Sequence, residues 1–320
     1  MGYKVVDFHC DALSKMQLDP KLDFSSDRKL DVTLTKMTQG GVALQCFAIF
    51  VSQTLGTPKI GHILEQIDIF HNKIVTTGIT PIRSVEDLLV QEQTGRIGGL
   101  LSIEGADGLE GNLYYLKLCY DRGVRFLGLT WNFANWAADG IMEKRNGGFT
   151  AQGVELVRTC YELGMILDVS HLSQKGFCEL VDLAKLSGRP FIASHSNAYQ
   201  ICPHVRNLRD EQIKAIIELD GRIGLTFVPW FVKEGQGSSS KDLLLHIDHI
   251  CSLHGQHTLM FGSDFDGIES YLSDLKHAGH YSGWVETLLK YYPEELVRQW
   301  LYGNALSFLQ KWLPKQKKAL

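Results

Sequence analysis

"KVVDFHCDAL", residues 4–13, begins as an apolar strand and ends with Asp7, His9 and Asp11 at every second position. Strict strand alternation puts Val5, Asp7, His9 and Asp11 on one face and Val6, Phe8 and Cys10 on the other. A His-x-Asp pair at a strand end is half of a metal site or merely an acidic turn, and the pattern is too short to separate the two. What decides is whether other strands carry similar groups at the same end.

Seven further apolar runs follow: "VALQCFAIFV" (42–51), "IGGLLSIEG" (97–105), "VRFLGLTW" (124–131), "MILDVSH" (165–171), "PFIASH" (190–195), "RIGLTFVP" (222–229) and "HTLMFGSD" (257–264). After each comes a loop and a segment of helical period. Helix signals are ordinary: Thr150 precedes Val154, Val157 and Tyr161 with Gly164 behind, and Ser173 precedes Phe177, Leu180, Val181 and Ala184 with "SGRP" behind. A third helix is expected from about Asp210 to "DG" at 220–221. Alternation of strand and helix predicts a parallel sheet. Eight repeats predict its closure into a (β/α)8 TIM-type barrel, an α/β single domain over residues 1–320. "NFANWAADGIMEKRNGG" (132–148) and "KEGQGSSSK" (233–241) read as loops between a strand and its helix, and "KWLPKQKKAL" (311–320) as a solvated basic end.

The length of 320 residues suits such a barrel, for which ~250 plus insertions is usual. A net charge of -4 without a basic stripe argues against a nucleic-acid partner and for a small molecule. The seven cysteines form no C-x-x-C pair, so neither a disulfide framework nor a thiolate zinc site is expected, and a reducing cytoplasm is. Neither a signal peptide nor a run near the roughly 18 apolar residues of a membrane span is evident, so no membrane partner is expected.

Barrel chemistry sits at the C-terminal strand ends. There the first run carries His9 and Asp11, the third Glu104, the fifth His171, the sixth His195 and the eighth Asp264. Turns put polar residues at strand ends by chance, but imidazole or carboxylate at five ends of eight is a pattern of zinc-type donors converging on one mouth. So many donors exceed one tetrahedral ion, whereas two ions ~3.5–4 Å apart share a bridging carboxylate. Glu104, central in strand order, is the expected bridge. Two cations flanking a water make hydroxide available at neutral pH, which suits amide or ester hydrolysis, and Asp264 is left to move the proton. Asp7, one step deeper on the His9 face, is expected to support that pair. His246 and His249 in "HIDHI" are expected on a solvated helix face, and of Asp264 and Asp266 at least one is expected to be only a turn residue.

These stretches carry a resemblance. "DFHCD" (7–11), "SIEGADGLEGNL" (102–113), "LGMILDVSHLS" (163–173), "PFIASHSNA" (190–198), "VRNLRDEQI" (205–213), "HIDHI" (246–250) and "FGSDFDGI" (261–268) jointly resemble the renal (membrane) dipeptidase family of zinc peptidases, among the amidohydrolase-like barrels. The resemblance implies two zinc ions, with His9 and Asp11 on one, His171 and His195 on the other, and Glu104 bridging. It also implies that Asp264 orients the nucleophilic water, that Arg206 binds the terminal carboxylate of a dipeptide, and that the protein is a homodimer. A guanidinium fork is independently suited to a free carboxylate, which it grips with two parallel hydrogen bonds.

One position departs from the family. Where relatives carry a histidine after "LT" to steady the oxyanion, "LTWNFANWAADG" has Trp131, whose indole donates one hydrogen bond and carries no charge. The oxyanion donor stays open between Asn132, Asn135 and the metal itself. The expected reaction is hydrolysis of a free dipeptide by metal-bound hydroxide, a metallodipeptidase activity. The alternatives are another amidohydrolase-type enzyme (lactonase, phosphotriesterase or deaminase) and a non-catalytic metal-binding relative. Many of the former bridge their metals with a modified lysine after the fourth strand, where this chain has none.

Overall fold

All eight apolar runs form strands in the computed structural model, which describes residues 2–315. They are β1 (Val5–Cys10), β2 (Val42–Phe50), β4 (Gly98–Glu104), β5 (Val124–Gly128), β6 (Ile166–Asp168), β7 (Phe191–Ala193), β8 (Arg222–Leu225) and β9 (Leu259–Phe261). A two-residue strand, β3 (Thr80–Pro81), was not expected; it pairs with Gly98 and Gly99, below the point where β5 joins β4. Every ladder is parallel, and pairings of β2 with β4 and of β1 with β9 close eight strands into a barrel. The fold is the expected single-domain (β/α)8 type. Since all strands run the same way, their C-terminal ends share one rim.

Burial explains why the barrel closes. Val6, Phe8, Leu44, Cys46, Leu100, Phe126, Ile166, Ile192 and Met260 form one buried cluster drawn from seven strands, which only the barrel interior can bring together. Ala305, Phe308 and Leu309 of the helix Asn304–Trp312 join it, stopping the lower end. A larger cluster lies between the strands and the surrounding helices. Helix signals act as read: Thr150 and Ser173 accept from Gly153 and Gly176 backbone N–H groups, and Gly164 and Gly188 end their helices in the left-handed region.

Three expectations need correction. β1 does not alternate strictly. Asp7 pairs with Gln45 and Cys10 with Phe47, so three steps on β1 match two on β2, a bulge at Phe8 and His9. Consequently Val6 and Phe8 point into the barrel while Cys10 joins Val5 in the outer cluster. The bulge turns His9 to the interior without Asp7. The tail is the second case: Leu313 is buried against the barrel interior and Lys311 pairs with Asp220 at 2.8 Å, so its first residues are packed, while 316–320 lie outside the described residues.

His246 is the third, since it is fully buried rather than solvated. Its Nδ1 accepts from Ala198 N–H at 3.1 Å, which leaves Nε2–H to donate to the Val232 carbonyl at 2.8 Å. Burial pushes its pKa down to about 4. The unfolded chain binds this proton near pH 6.5 and the folded chain does not, so the stability that neutral His246 contributes is whole above pH 6.5 and drains as pH falls toward 4. Urea titrations at pH 7.5 and pH 4.5 should differ by up to ~3 kcal/mol on this account, a difference that His246→Gln reduces.

Candidate metal centre

His9, Asp11, Glu104, His171, His195, Arg206 and Asp264 meet at the barrel rim. His9 Nε2 lies 3.3 Å from Asp11 Oδ2, 3.5 Å from Glu104 Oε2 and 3.7 Å from Asp264 Oδ1. On the other side, Glu104 Oε1 lies 2.8 Å from His171 Nε2 and 3.7 Å from His195 Nε2. The two Nε2 atoms are 2.9 Å apart, and Arg206 Nη2 donates toward that of His171 at 3.0 Å. The structure thus brings all the residues expected in the site together at one end of the barrel.

Second partners fix the imidazole protons. His171 Nδ1 faces Asn132 Oδ1 at 2.9 Å, so Nδ1 carries the hydrogen and Nε2 presents the lone pair toward which Arg206 donates. His195 Nδ1 faces Ser194 Oγ at 2.7 Å, and Ser194 spends its own hydrogen on Asp168. Two imidazole lone pairs and a carboxylate oxygen thus aim at one point. His9 Nε2 and Asp11 Oδ1 are buried without any hydrogen-bond partner. Divalent cations would satisfy these donors, and two overlapping groups, His9–Glu104–His195 and His9–Asp11–Asp264, each fall within reach of one ion. The residues fit a metal.

The electrostatics reflect this crowding of buried charges of both signs. Burial alone would depress the His9 imidazole, yet Glu104, Asp11 and Asp264 push it up to about 10. His171 and His195 are held well below the usual histidine range by burial, with Arg206 and His9 adding to it. Burial raises Glu104 and Asp264, against the pull of His9 and Arg206. Arg206 is lowered to about 10 by burial, opposed by Asp264, Glu104 and Asp168.

A family model described as membrane dipeptidase, peptidase family M19, matches residues 2–317. The chain belongs to that family. With it the chain falls among metallopeptidases, hydrolases acting on peptide bonds. The crystal structure of dipeptidase AC of this family superposes with a TM-score of 0.89 at 26% identity, covering 98% of this chain and 99% of that one. A metallopeptidase from Rhodobacter sphaeroides, liganded with a phosphinate mimic of the dipeptide L-Ala-D-Ala, gives 0.88 at 25% identity over 98% and 100%. An uncharacterized dipeptidase of Schizosaccharomyces pombe is 30% identical over 87% of this chain and 72% of its own length. An uncharacterized Klebsiella pneumoniae protein is 38% identical, but that match spans only 52% of this chain and 64% of the relative.

The sequence reading missed Asp168 and gave the wrong geometry for Asp7. Asp168 accepts from Ser170 N–H, Ser170 O–H and Ser194 N–H at 3.1, 2.9 and 2.9 Å, and from Ser194 O–H, clasping the ends of β6 and β7 behind both histidines. Asp7, displaced by the bulge, does the same for β1 and β9: it accepts from Ser263 N–H and O–H at 2.9 and 2.7 Å. Asn135 is spent on Asp107 and Leu129, which removes it as an oxyanion donor. Asp266 is a clip for the backbone of Asp31 and Val32. His249 pairs with Asp210, away from the centre. Removing the acceptor behind His195 should weaken metal binding. For Asp168→Asn the expected loss of divalent-metal affinity is roughly 10- to 100-fold, read by competition with a chelator, and an unchanged affinity would detach Asp168 from the centre.

Proposed function

We propose that the chain is a dipeptidase that cleaves the peptide bond of free dipeptides with two zinc ions, His9 and Asp11 holding one, His171 and His195 the other, and Glu104 shared. The observation that carries this reading is the division of Glu104, whose Oε2 faces His9 while Oε1 faces His171 and His195. The bound ions would supply a polarised carbonyl and a water of lowered pKa at neutral pH. The family's named dipeptidases, and the dipeptide mimic bound by the Rhodobacter relative, support the substrate class.

The chain's own residues handle position and protons. Asp264 reaches the mouth with a side chain 16% exposed and an oxygen facing His9, where it takes the proton of the attacking water and passes it to the departing amine. Arg206 is buried and its Nη1 has no partner. A substrate α-carboxylate completes that fork with two parallel hydrogen bonds. Asn132 holds the His171 ring in place and is tied up at Oδ1 in doing so. Seven free cysteines support a reducing cytoplasm as the site of action.

A panel of L-L, L-D and D-D dipeptides with metal counting on the same sample tests the reading. Release of amino acids with two zinc ions per chain is expected, and no release from any member would leave a non-catalytic metal protein. Asp264→Asn should abolish turnover while both ions stay bound. Arg206→Ala should raise KM for free dipeptides and spare an amide-capped substrate. Equal losses on both substrates would remove the carboxylate clamp.

A further inference from the structure

A second, smaller cavity adjoins the metal centre. The main cleft, about 650 Å³, is lined by Asp11, Phe50, Glu104, Trp131, His171 and Asp264, with Lys15 and Tyr271 further out. Phe50, Glu104 and Trp131 also line a cavity of about 130 Å³, whose remaining wall is Val51, Pro58, Gly105 and Gly108, with Gln53 and Asp107 on its polar side. Shared walls make it a side pocket of the cleft. Phe50, the last residue of β2, and Trp131, beyond the end of β5, come from the strands on either side of β4 and pack their rings against each other at 5.3 Å. The Trp131 ring centroid is 6.3 Å from that of His171. Gly105 opens the floor: its φ is +88°, and a Cβ there would lie 2.9 Å from Asp107 and 3.3 Å from the Trp131 backbone. An apolar cavity of ~150 Å³ takes a benzene ring, so this slightly smaller one, open to the cleft and walled on one side by Phe50, Val51, Pro58 and Trp131, takes a branched aliphatic side chain or most of an aromatic ring.

Strand order says which residue of the substrate enters. Around the barrel the sequence is β1, β2, β4, β5, β6, β7, β8, β9, so β7 stands opposite β2. Arg206 comes from the loop after β7, and the aromatic pair flanks the β4 end on the far side of the centre. A dipeptide held by its α-carboxylate at Arg206 crosses the metal ligands and presents its N-terminal residue to Phe50 and Trp131. We infer that the Phe50–Trp131 pocket is the subsite for the N-terminal side chain and selects large apolar residues there, an inference that rests on the dipeptidase reading. Trp131 is then a specificity-determining residue.

Steady-state kinetics of the zinc-loaded protein on Gly-Gly, Leu-Gly, Phe-Gly, Gly-Leu and Gly-Phe test it. Leu-Gly and Phe-Gly should exceed Gly-Gly in kcat/KM by roughly tenfold or more, the scale on which a hydrophobic pocket discriminates. Reversal to Gly-Leu and Gly-Phe should lose most of that gain. Trp131→Ala and Phe50→Ala should each erase the preference, lowering kcat/KM for Leu-Gly and Phe-Gly far more than for Gly-Gly, and Trp131→Phe should retain it. If Leu-Gly and Gly-Leu are cleaved alike, or Trp131→Ala lowers all five substrates equally, the subsite falls and the dipeptidase reading stands. If none of the five is cleaved, both fall.

Discussion

Asp11, Glu104 and Asp264 bring three carboxylates to the rim beside imidazoles whose bare nitrogens face one another, with the Arg206 guanidinium alongside. Two like charges about 4 Å apart repel by about 4 kcal/mol at an effective dielectric near 20, a repulsion among the carboxylates that His9 and Arg206 offset in part. The scaffold has to hold them. A closed parallel barrel does much of this, because no single strand end can move outward without breaking ladders to two neighbours.

Two buried aspartates outside the site do the rest, and they do it alike. Asp7 on β1 receives the N–H and O–H of Ser263, and the next residue is Asp264. Asp168 on β6 receives the N–H and O–H of Ser194, and the next residue is His195. Each clasp therefore fixes the backbone one residue before a group that faces the centre. Burial raises the pKa of Asp7, and the donors around it, Ser263 and the His9 N–H among them, offset part of that cost.

The barrel was legible because eight apolar runs recur with helical segments between them, and the site because donor side chains recur at the same end of those runs. Both signals are one-dimensional. What stayed hidden depends on neighbours in space. The bulge in β1 is a register shift against β2, and nothing in "VVDFHCD" marks Phe8 and His9 as the place where alternation breaks. Asp168 stands out by nothing in "MILDVSH", because the Ser194 groups it accepts from lie at the end of the adjacent strand. His246 misled because the spacing of "HIDHI" shows two histidines a turn apart but not that Ala198 and Val232 cover one of them.

An outer ring of contacts sets the distance between the carboxylates themselves. Asp11 is the residue ahead of the helix Ala12–Leu18, and Lys15, one turn on, reaches Asp266 at 3.0 Å, two residues past Asp264. Asp31 accepts from Asp266 N–H and from the Tyr271 hydroxyl at 3.0 Å each, while Asp266 accepts from Asp31 and Val32 N–H, so the loop, the helix and the turn are tied to one another. Between them lies Gly267, where a Cβ would fall 2.4 Å from Asp11 and 2.5 Å from Asp264. The two carboxylates close on a space that only a glycine leaves open. Their separation is thus a property of backbone and salt bridges laid down when the chain folds, which is the preorganisation that lets a site bind its cation without first paying to assemble its ligands.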